Sequence, residues 1–214
     1  MEQPNISLQE NLQDKFDPTF WGGYRAFKHY KYTGKNLIEE VNLLDPDLVI
    51  DVGCGHNRFK GYIKNLIGFD QEPFPFVDIV SSIEDMNFRN NSADVVMALG
   101  SVQFGDKNFV RSQMKKITAW TKPGGFIVMR TMKDWFRTED YPHKDSHYIW
   151  SVDDINDIAK ENNLEIYKGV FTEEVLNPRG NKIISTRLAW WYKKSGERKK
   201  YKITLDRCEI NERQ

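Results

Sequence analysis

The chain has 214 residues, a formal net charge of zero and 39% hydrophobic residues. This size suits one α/β domain and excludes a second full domain. The balanced charge excludes a general bias towards nucleic acid or membranes, so any basic patch must be local. Cys54 and Cys208 lack metal-ligand spacing, and we expect no disulfide and no metal site. The N-terminus has no signal-peptide pattern and no apolar run approaches ~20 residues, which predicts a cytoplasmic protein with no membrane partner.

Three helices are predicted before the first strand. Ser7 begins a capping-box pattern, and Asp17 followed by proline marks a second helix start. A third amphipathic helix over 37–44 ends at Asp45 and the following proline. We expect residues 1–36 to form a helical extension that either closes over a ligand as a lid or packs against the sheet edge. Its candidate lid aromatics are Phe20, Trp21 and Tyr24.

Short apolar runs predict a doubly wound, mostly parallel sheet of seven strands. A helix over 106–121 joins two of the strands in a β-α-β unit, and Ser151 with Asp154 begins another helix. The turn signal at 177–181 predicts that the sheet ends in a C-terminal antiparallel hairpin. The α/β domain then spans 37–194 and a charged tail spans 195–214. The predicted strands are 48–53, 66–69, 78–80, 94–99, 125–130, 164–171 and 182–192.

A glycine-rich turn and two acids suggest a nucleoside ligand. Asp51, Gly53 and Gly55 lie where the first strand should pass into a helix, so that backbone and free N–H groups can approach a ligand. Asp70 ends the next strand, where its carboxylate can accept hydrogen bonds from both ribose hydroxyls. A dinucleotide fingerprint starting at Gly53 would need a glycine where Arg58 stands, which weakens an NAD interpretation.

Four motifs in order carry a resemblance to a known family. Residues 51–55 (DVGCG), 88–96 (FRNNSADVV), 122–125 (KPGG) and 147–154 (HYIWSVDD) resemble successive motifs of class I, Rossmann-like S-adenosylmethionine-dependent methyltransferases. The ordered set is far more specific than any single motif. The chain resembles a compact, "methyltransferase type 11"-like branch of that family. The resemblance implies the Rossmann-like fold with a C-terminal hairpin, and S-adenosylmethionine as cofactor.

The resemblance also implies the cofactor site. The glycine turn would face the methionine part, Asp70 the ribose, Ser82 and Ile83 the adenine, and Leu99 and Gly100 the methyl group. The predicted cofactor-binding residues are Asp51, Gly53, Cys54, Gly55, Asp70, Gln71, Ser82, Ile83, Leu99 and Gly100.

The chain departs from the family pattern at three places. Asn57 replaces the third glycine of the first motif. Only a helix of about two turns fits between Gly55 and the second strand, and His56 and Arg58 would cap and solvate this helix. The connection from the second strand to the third is too short for a regular helix. Ser82 replaces an acid, so that backbone groups would have to supply the adenine contact.

The segment after the fourth strand offers no obvious base. Related small-molecule enzymes often have Leu-Glu-His where this chain has Val102, Gln103 and Phe104. Ser101 and Gln103 are candidates for orienting the acceptor, with structural roles as the alternative. His143 is the candidate base, in a stretch over 131–148 expected to help form the acceptor pocket, although a surface histidine is the commoner outcome.

Three functions are compatible with these features. The first is a methyltransferase acting on an oxygen or nitrogen of a small-molecule acceptor. The second is an RNA- or DNA-directed methyltransferase that grips its substrate with a basic tail, although nearby acidic residues favour a solvated tail. The third is a non-catalytic module that keeps the cofactor site. The basic residues near the C-terminus are Lys193, Lys194, Arg198, Lys199, Lys200 and Lys202.

Overall fold

The computed structural model describes residues 32–135, 147–176 and 183–197, with backbone alone for 134–135, 175–176 and 183–185. The two helices predicted before Tyr32, the turn at 177–181 and most of the charged tail lie outside the described residues. The described helices are α1 (Asn36–Leu43), α2 (Lys107–Trp120) and α3 (Val152–Glu161). The described strands are β1 (Val49–Val52), β2 (Leu66–Asp70), β3 (Ile79–Val80), β4 (Ala93–Leu99), β5 (Thr121–Trp135), β6 (Leu164–Leu176) and β7 (Ile183–Lys194).

One seven-stranded sheet organises the described chain, in the order β3-β2-β1-β4-β5-β7-β6. The first five strands are parallel to one another, whereas β7 pairs antiparallel with both β5 and β6. The predicted Rossmann-like fold with a C-terminal antiparallel hairpin is thereby confirmed. The strand order reverses beside β1, and open α/β sheets bind ligands at such a switch point, outside the carboxyl ends of the strands.

The helices begin where side chains can replace missing backbone hydrogen bonds. The Asp106 carboxylate accepts a 2.8 Å hydrogen bond from the Phe109 N–H at the start of α2. Ser151 and Asp154 form the predicted capping box at the start of α3. Because such caps satisfy N–H groups that the first helical turn leaves unpaired, they fix where each helix begins.

Two apolar cores cover the two faces of the sheet. The larger core packs α2 and α3 against the sheet, and its largest buried side chains include Trp120, Trp150 and Trp190. The smaller core packs α1 on the other face, where Leu37 and Val41 are fully buried. Alternate residues of β4 enter opposite cores, as expected for a strand covered on both faces.

The segment between β1 and β2 corrects one prediction. No helix forms over 53–65; the chain makes a series of turns instead. Positive φ angles recur through this segment, and each interrupts a right-handed helix. His56 and Arg58 therefore cap no helix; the His56 ring lies against Phe74, with ring centroids 4.9 Å apart. The residues with positive φ are Gly53, Gly55, Asn57, Gly61 and Asn65.

β5 is longer than predicted at both ends. It begins at Thr121, directly after α2, and the residues over 122–125 form an irregularity in its pairing with β4 rather than a loop before the strand. At its other end it continues past Arg130 to Trp135, because β7 pairs with it throughout. None of the helices in the described part of the chain is long and apolar enough to cross a membrane.

Candidate functional site

The turn after β1 lies against the segment that follows β4. Gly53 has a φ of +62°, and a Cβ atom on it would lie 2.4 Å from the Cβ of Ser101. The Cys54 N–H donates a 3.0 Å hydrogen bond to the carbonyl of Phe69, which joins the turn to β2. Since both the backbone angle and the contact exclude a side chain at position 53, glycine is required there.

The Asp70 carboxylate connects this turn to the end of β2. Its Oδ2 atom accepts a 2.8 Å hydrogen bond from the Gly55 N–H, and its Oδ1 atom accepts a 3.0 Å bond from the Glu72 N–H. These bonds fix the orientation of the carboxylate. Each carboxylate oxygen has a second lone pair, so both oxygens can still accept a hydrogen bond from a ligand hydroxyl.

Asp51 is buried below the turn. Only 3% of its surface is exposed. Burial raises the pKa of Asp51 to about 7, the nearby Asp70 adds to the rise, and the Arg130 guanidinium opposes it. The carboxyl group therefore changes charge near neutral pH, where most aspartates stay ionised.

Asn57 stands where the family motif has its third glycine and keeps the left-handed backbone, with a φ of +47°. Its Nδ2 atom donates hydrogen bonds to the Phe76 carbonyl at 2.7 Å and to Asp78 at 3.1 Å. Asp78 also accepts a 2.9 Å bond from the Gly68 N–H and pairs with Lys60. Asn57 thus joins the turns to the segment that precedes β3 and, through Asp78, to Gly68 of β2.

Gln103 and Ser101 lie beyond the end of β4. The Gln103 Oε1 atom accepts a 2.9 Å hydrogen bond from the Met132 N–H, and its backbone carbonyl accepts a 2.7 Å bond from the Tyr148 N–H. Gln103 therefore ties this segment to β5 and to the chain before α3. The buried Ser101 hydroxyl has no hydrogen-bond partner among the described residues and lies beside the glycine turn.

Arg130, which pairs with Leu99 where β4 ends beside β5, was not predicted as a site residue. Its Nη2 atom donates a 2.7 Å hydrogen bond to the Leu99 carbonyl, and its Nη1 atom donates a 3.3 Å bond to Thr33 Oγ1. Thr33 in turn donates a 2.8 Å bond to the buried carboxylate of Glu173. A charged residue inside the apolar run over 126–132 was a sequence signal that could have identified it.

The predicted adenine-side residues have mixed environments. Ile83 is buried in the larger core, whereas Gln71 is exposed. The Ser82 hydroxyl donates a 2.8 Å hydrogen bond to Asp85 and accepts a 3.1 Å bond from the Asp85 N–H, so it is engaged in a local turn. Burial raises the pKa of the partly buried Cys54 thiol, which keeps it protonated and inert as a nucleophile.

Some predicted residues lie outside the described residues, among them His143 and the aromatics of the N-terminal extension. Of the basic residues near the C-terminus, Lys193 and Lys194 are described. Lys194 Nζ donates hydrogen bonds to the carbonyls of Thr118 and Thr121, at 2.8 and 2.9 Å, at the end of α2. Lys193 lies 3.6 Å from the carboxylate of Glu165. Both side chains thus contact the protein itself.

Comparison with solved structures finds the same fold in several methyltransferases. A SAM-dependent methyltransferase from Thermotoga maritima matches with a TM-score of 0.55 and 16% identity, over 74% of this chain and 87% of that one. The 1,6-didemethyltoxoflavin-N1-methyltransferase of Burkholderia thailandensis, solved with its substrate and S-adenosylhomocysteine, matches with a TM-score of 0.58 and 12% identity, over 92% and 94%. TehB from Haemophilus influenzae matches with a TM-score of 0.57 and 17% identity, over 78% and 65%.

No family model matches the sequence, and a search of curated proteins also found no match. The structural likeness nevertheless establishes the fold, a Rossmann-like sheet with antiparallel C-terminal strands that these methyltransferases share. The glycine turn, Asp70 and the end of β4 all lie at the carboxyl edge of its parallel strands, where this architecture binds its ligands.

Proposed function

We propose that the chain is an S-adenosylmethionine-dependent methyltransferase. The observation that carries this proposal is the geometry of Asp70, whose carboxylate is held between the glycine turn and the end of β2 by the Gly55 and Glu72 N–H groups. The shared fold of the solved methyltransferases supports it. An acid fixed at this position, with one lone pair of each oxygen still available, suits a ribose with two adjacent hydroxyls.

The other residues around the turn fit the same cofactor. No described atom beyond the chain neighbours lies within 4 Å of the position a Cβ would take on Gly55, which leaves room for a ligand. Asp51 and Asp70 place two acidic groups near the positive sulfonium and ammonium groups that the methionine part carries. Ser101, Leu99 and Gly100 would lie at the methyl end, and Ser82 and Ile83 on the adenine side. The short turns over 53–65 and 71–78 are consistent with a compact, type 11-like branch.

When bound, the cofactor would supply an electrophilic methyl group for transfer from its sulfur to a lone pair of the acceptor, leaving S-adenosylhomocysteine; the acceptor's proton would pass to solvent or to the candidate base His143. Such a displacement can proceed without a protein base when the site aligns the acceptor with the methyl group and excludes water. The Gln103 side-chain amide oxygen, Oε1, already accepts the Met132 N–H, so this side chain serves to orient the acceptor rather than to accept a proton. His143 remains the candidate base.

We infer a small-molecule acceptor, methylated on oxygen or nitrogen, in a cytoplasmic protein. The zero net charge supports this choice over nucleic acid, as do the contacts that Lys193 and Lys194 make within the protein. One structural neighbour methylates a small molecule at nitrogen, which is compatible with the same acceptor class.

Calorimetric titration with S-adenosylmethionine and S-adenosylhomocysteine tests the cofactor directly. Asp70→Asn should weaken binding of both by roughly 10- to 100-fold, since hydrogen bonds to a charged group contribute about 1.5–3 kcal/mol. The matched control is Asp153→Asn, the same change at an exposed acid in the first turn of α3, which should leave binding unchanged.

The absence of binding by the wild-type chain would contradict the proposal, as would equal binding by the Asp70 variant. Binding of both compounds without transfer of labelled methyl to any acceptor in a chemically varied panel would favour the non-catalytic module.

A further inference from the structure

We propose that Gln103 and Arg130 form a receptor for a carboxylate at the carboxyl end of β4. This inference rests on the proposed function, which places the end of β4 at the methyl end of the cofactor. The proposed function gives neither residue a role in binding a carboxylate. The carboxylate has two candidate sources: the methionine part of the cofactor, and an acidic methyl acceptor.

The receptor centres on Gly100. A Cβ atom built on this glycine would lie 3.9 Å from Arg130 Nη2 and 4.0 Å from Gln103 Nε2. Apart from chain neighbours, no other described atom comes within 4 Å of that point. Gly100 has a φ of +107°, a conformation that side chains rarely permit, so the space stays open. Two nitrogen donors therefore flank one gap in the backbone surface.

Both donors are held in place by other contacts. The Gln103 side chain is more than nine-tenths buried, and its Oε1 atom accepts the Met132 N–H at 2.9 Å. This bond fixes which way the amide faces, so its NH₂ group is directed towards Gly100, and no described residue accepts a hydrogen bond from it. The Leu99 carbonyl and Thr33 Oγ1 hold the guanidinium of Arg130.

The chemistry of the pair favours a carboxylate. A guanidinium presents a planar set of donors that matches two oxygens, and an amide NH₂ adds a neutral donor. Asp51 offsets part of the Arg130 charge, but its pKa of about 7 means that it is ionised only in part near neutral pH. Pre-organised donors bind an anion more tightly than mobile ones because little side-chain entropy is lost on binding.

Acetate is the simplest probe, and its binding can be followed by NMR through the side-chain signals of Arg130 and Gln103. We expect saturable shifts of both signals. Gln103→Glu should abolish them, because glutamate can still accept the Met132 N–H but places a negative oxygen where the amide donor was. Arg130→Gln should also abolish the shift of Gln103. Arg89→Gln, the same change at an exposed arginine, serves as the control and should leave acetate binding intact.

Calorimetry with two nucleosides separates the sources. If the cofactor supplies the carboxylate, Gln103→Glu should weaken S-adenosylhomocysteine binding at least tenfold and leave 5′-methylthioadenosine, which lacks the carboxylate, unaffected. If the acceptor supplies it, both nucleosides should bind the variant normally, and acetate should still bind wild-type protein saturated with S-adenosylhomocysteine. Thermal unfolding of each variant checks that it is folded.

The proposal is overturned if wild-type protein shows no saturable acetate shift, or if folded Gln103→Glu and Arg130→Gln bind acetate as wild type does. The acetate titration needs no nucleoside. It therefore tests the carboxylate receptor even if the wild-type chain binds neither S-adenosylmethionine nor S-adenosylhomocysteine. That absence of nucleoside binding would contradict the proposed function but not the receptor.

Discussion

Asp51 and Gly53 show how single residues set the properties of the site. Asp51 is buried under the glycine turn near Arg130, and its raised pKa results mainly from the loss of water around the carboxylate. Two residues later, Gly53 brings the turn so close to Ser101 that no side chain fits between them. Each residue has a cost in stability: the buried Asp51 carboxylate loses its hydration, and the left-handed turn against Ser101 accepts only glycine at position 53.

The raised pKa makes stability depend on pH in a defined direction. Between the ordinary aspartate pKa and about 7, the folded protein binds more protons at Asp51 than the unfolded chain does. Stability from this residue is therefore lost as pH rises through that window. From pH 5 to pH 8, we expect wild type to lose roughly 2–3 kcal/mol of unfolding free energy relative to Asp51→Asn. Urea unfolding of both proteins at several pH values measures the difference, and a pH-independent gap would refute the assignment.

Position 53 can be tested by substitution and rescue. Gly53→Ala should lower the unfolding free energy by roughly 2–4 kcal/mol, from an unfavourable φ and a clash with Ser101. Gly55→Ala is the matched control, because it has a similar φ of +54° but nothing within 4 Å of its Cβ; it should cost about 1 kcal/mol. Adding Ser101→Gly to Gly53→Ala should recover the difference. Failure of this rescue would mean that the contact is not the cause.

At the scale of elements, the connection between β1 and β2 differs most from a regular Rossmann-like crossover. Five positive φ angles over 53–65 prevent a helix, and hydrogen bonds from Asn57 hold the turns to the sheet instead. Asn57 also packs against Gly68 of β2, whose Cβ position would lie 2.6 Å from the asparagine amide. The asparagine that replaces the expected glycine therefore has a structural explanation: its side chain makes contacts with the sheet region that a crossover helix would otherwise make.

Asn57→Gly separates this side chain from the backbone conformation that glycine also accepts. We expect a loss of roughly 2 kcal/mol, because two hydrogen bonds disappear and a polar gap remains under the turns. Asn163→Gly provides the comparison, since that asparagine has a φ of +54° but is exposed. Its substitution should change stability by less than ~0.5 kcal/mol. Equal effects at the two positions, measured by denaturant unfolding, would show that the Asn57 contacts contribute nothing.

For the whole molecule, local patterns predicted which segments form the seven strands and most of the element bounds. Apolar runs and caps are short-range signals, and the Ser151–Asp154 capping box and the C-terminal hairpin are confirmed. The missing helix over 53–65 could have been predicted too, because glycine and asparagine recur there at the positions that adopt positive φ. The assignment of individual residues to cofactor binding remains a prediction, with which the fold is consistent.

Other parts of the site depend on contacts between distant segments. Arg130 reaches the Leu99 carbonyl and Thr33, and Thr33 reaches Glu173, from four separate stretches of chain. No periodicity brings these residues together in sequence, so only the folded sheet shows their proximity. Gln103 was predicted for its place after β4, whereas its bond to the Met132 N–H required the structure.

We propose above all that an S-adenosyl cofactor binds at the carboxyl edge of the sheet, between the turn after β1 and the end of β4. A crystal structure of the chain grown with S-adenosylhomocysteine tests it most directly. We expect density with both ribose hydroxyls on the Asp70 carboxylate and the amino-acid part beside Gly53 and Gly100. Clear density for the ligand elsewhere, with Asp70 bound only to the Gly55 and Glu72 N–H groups, would contradict it.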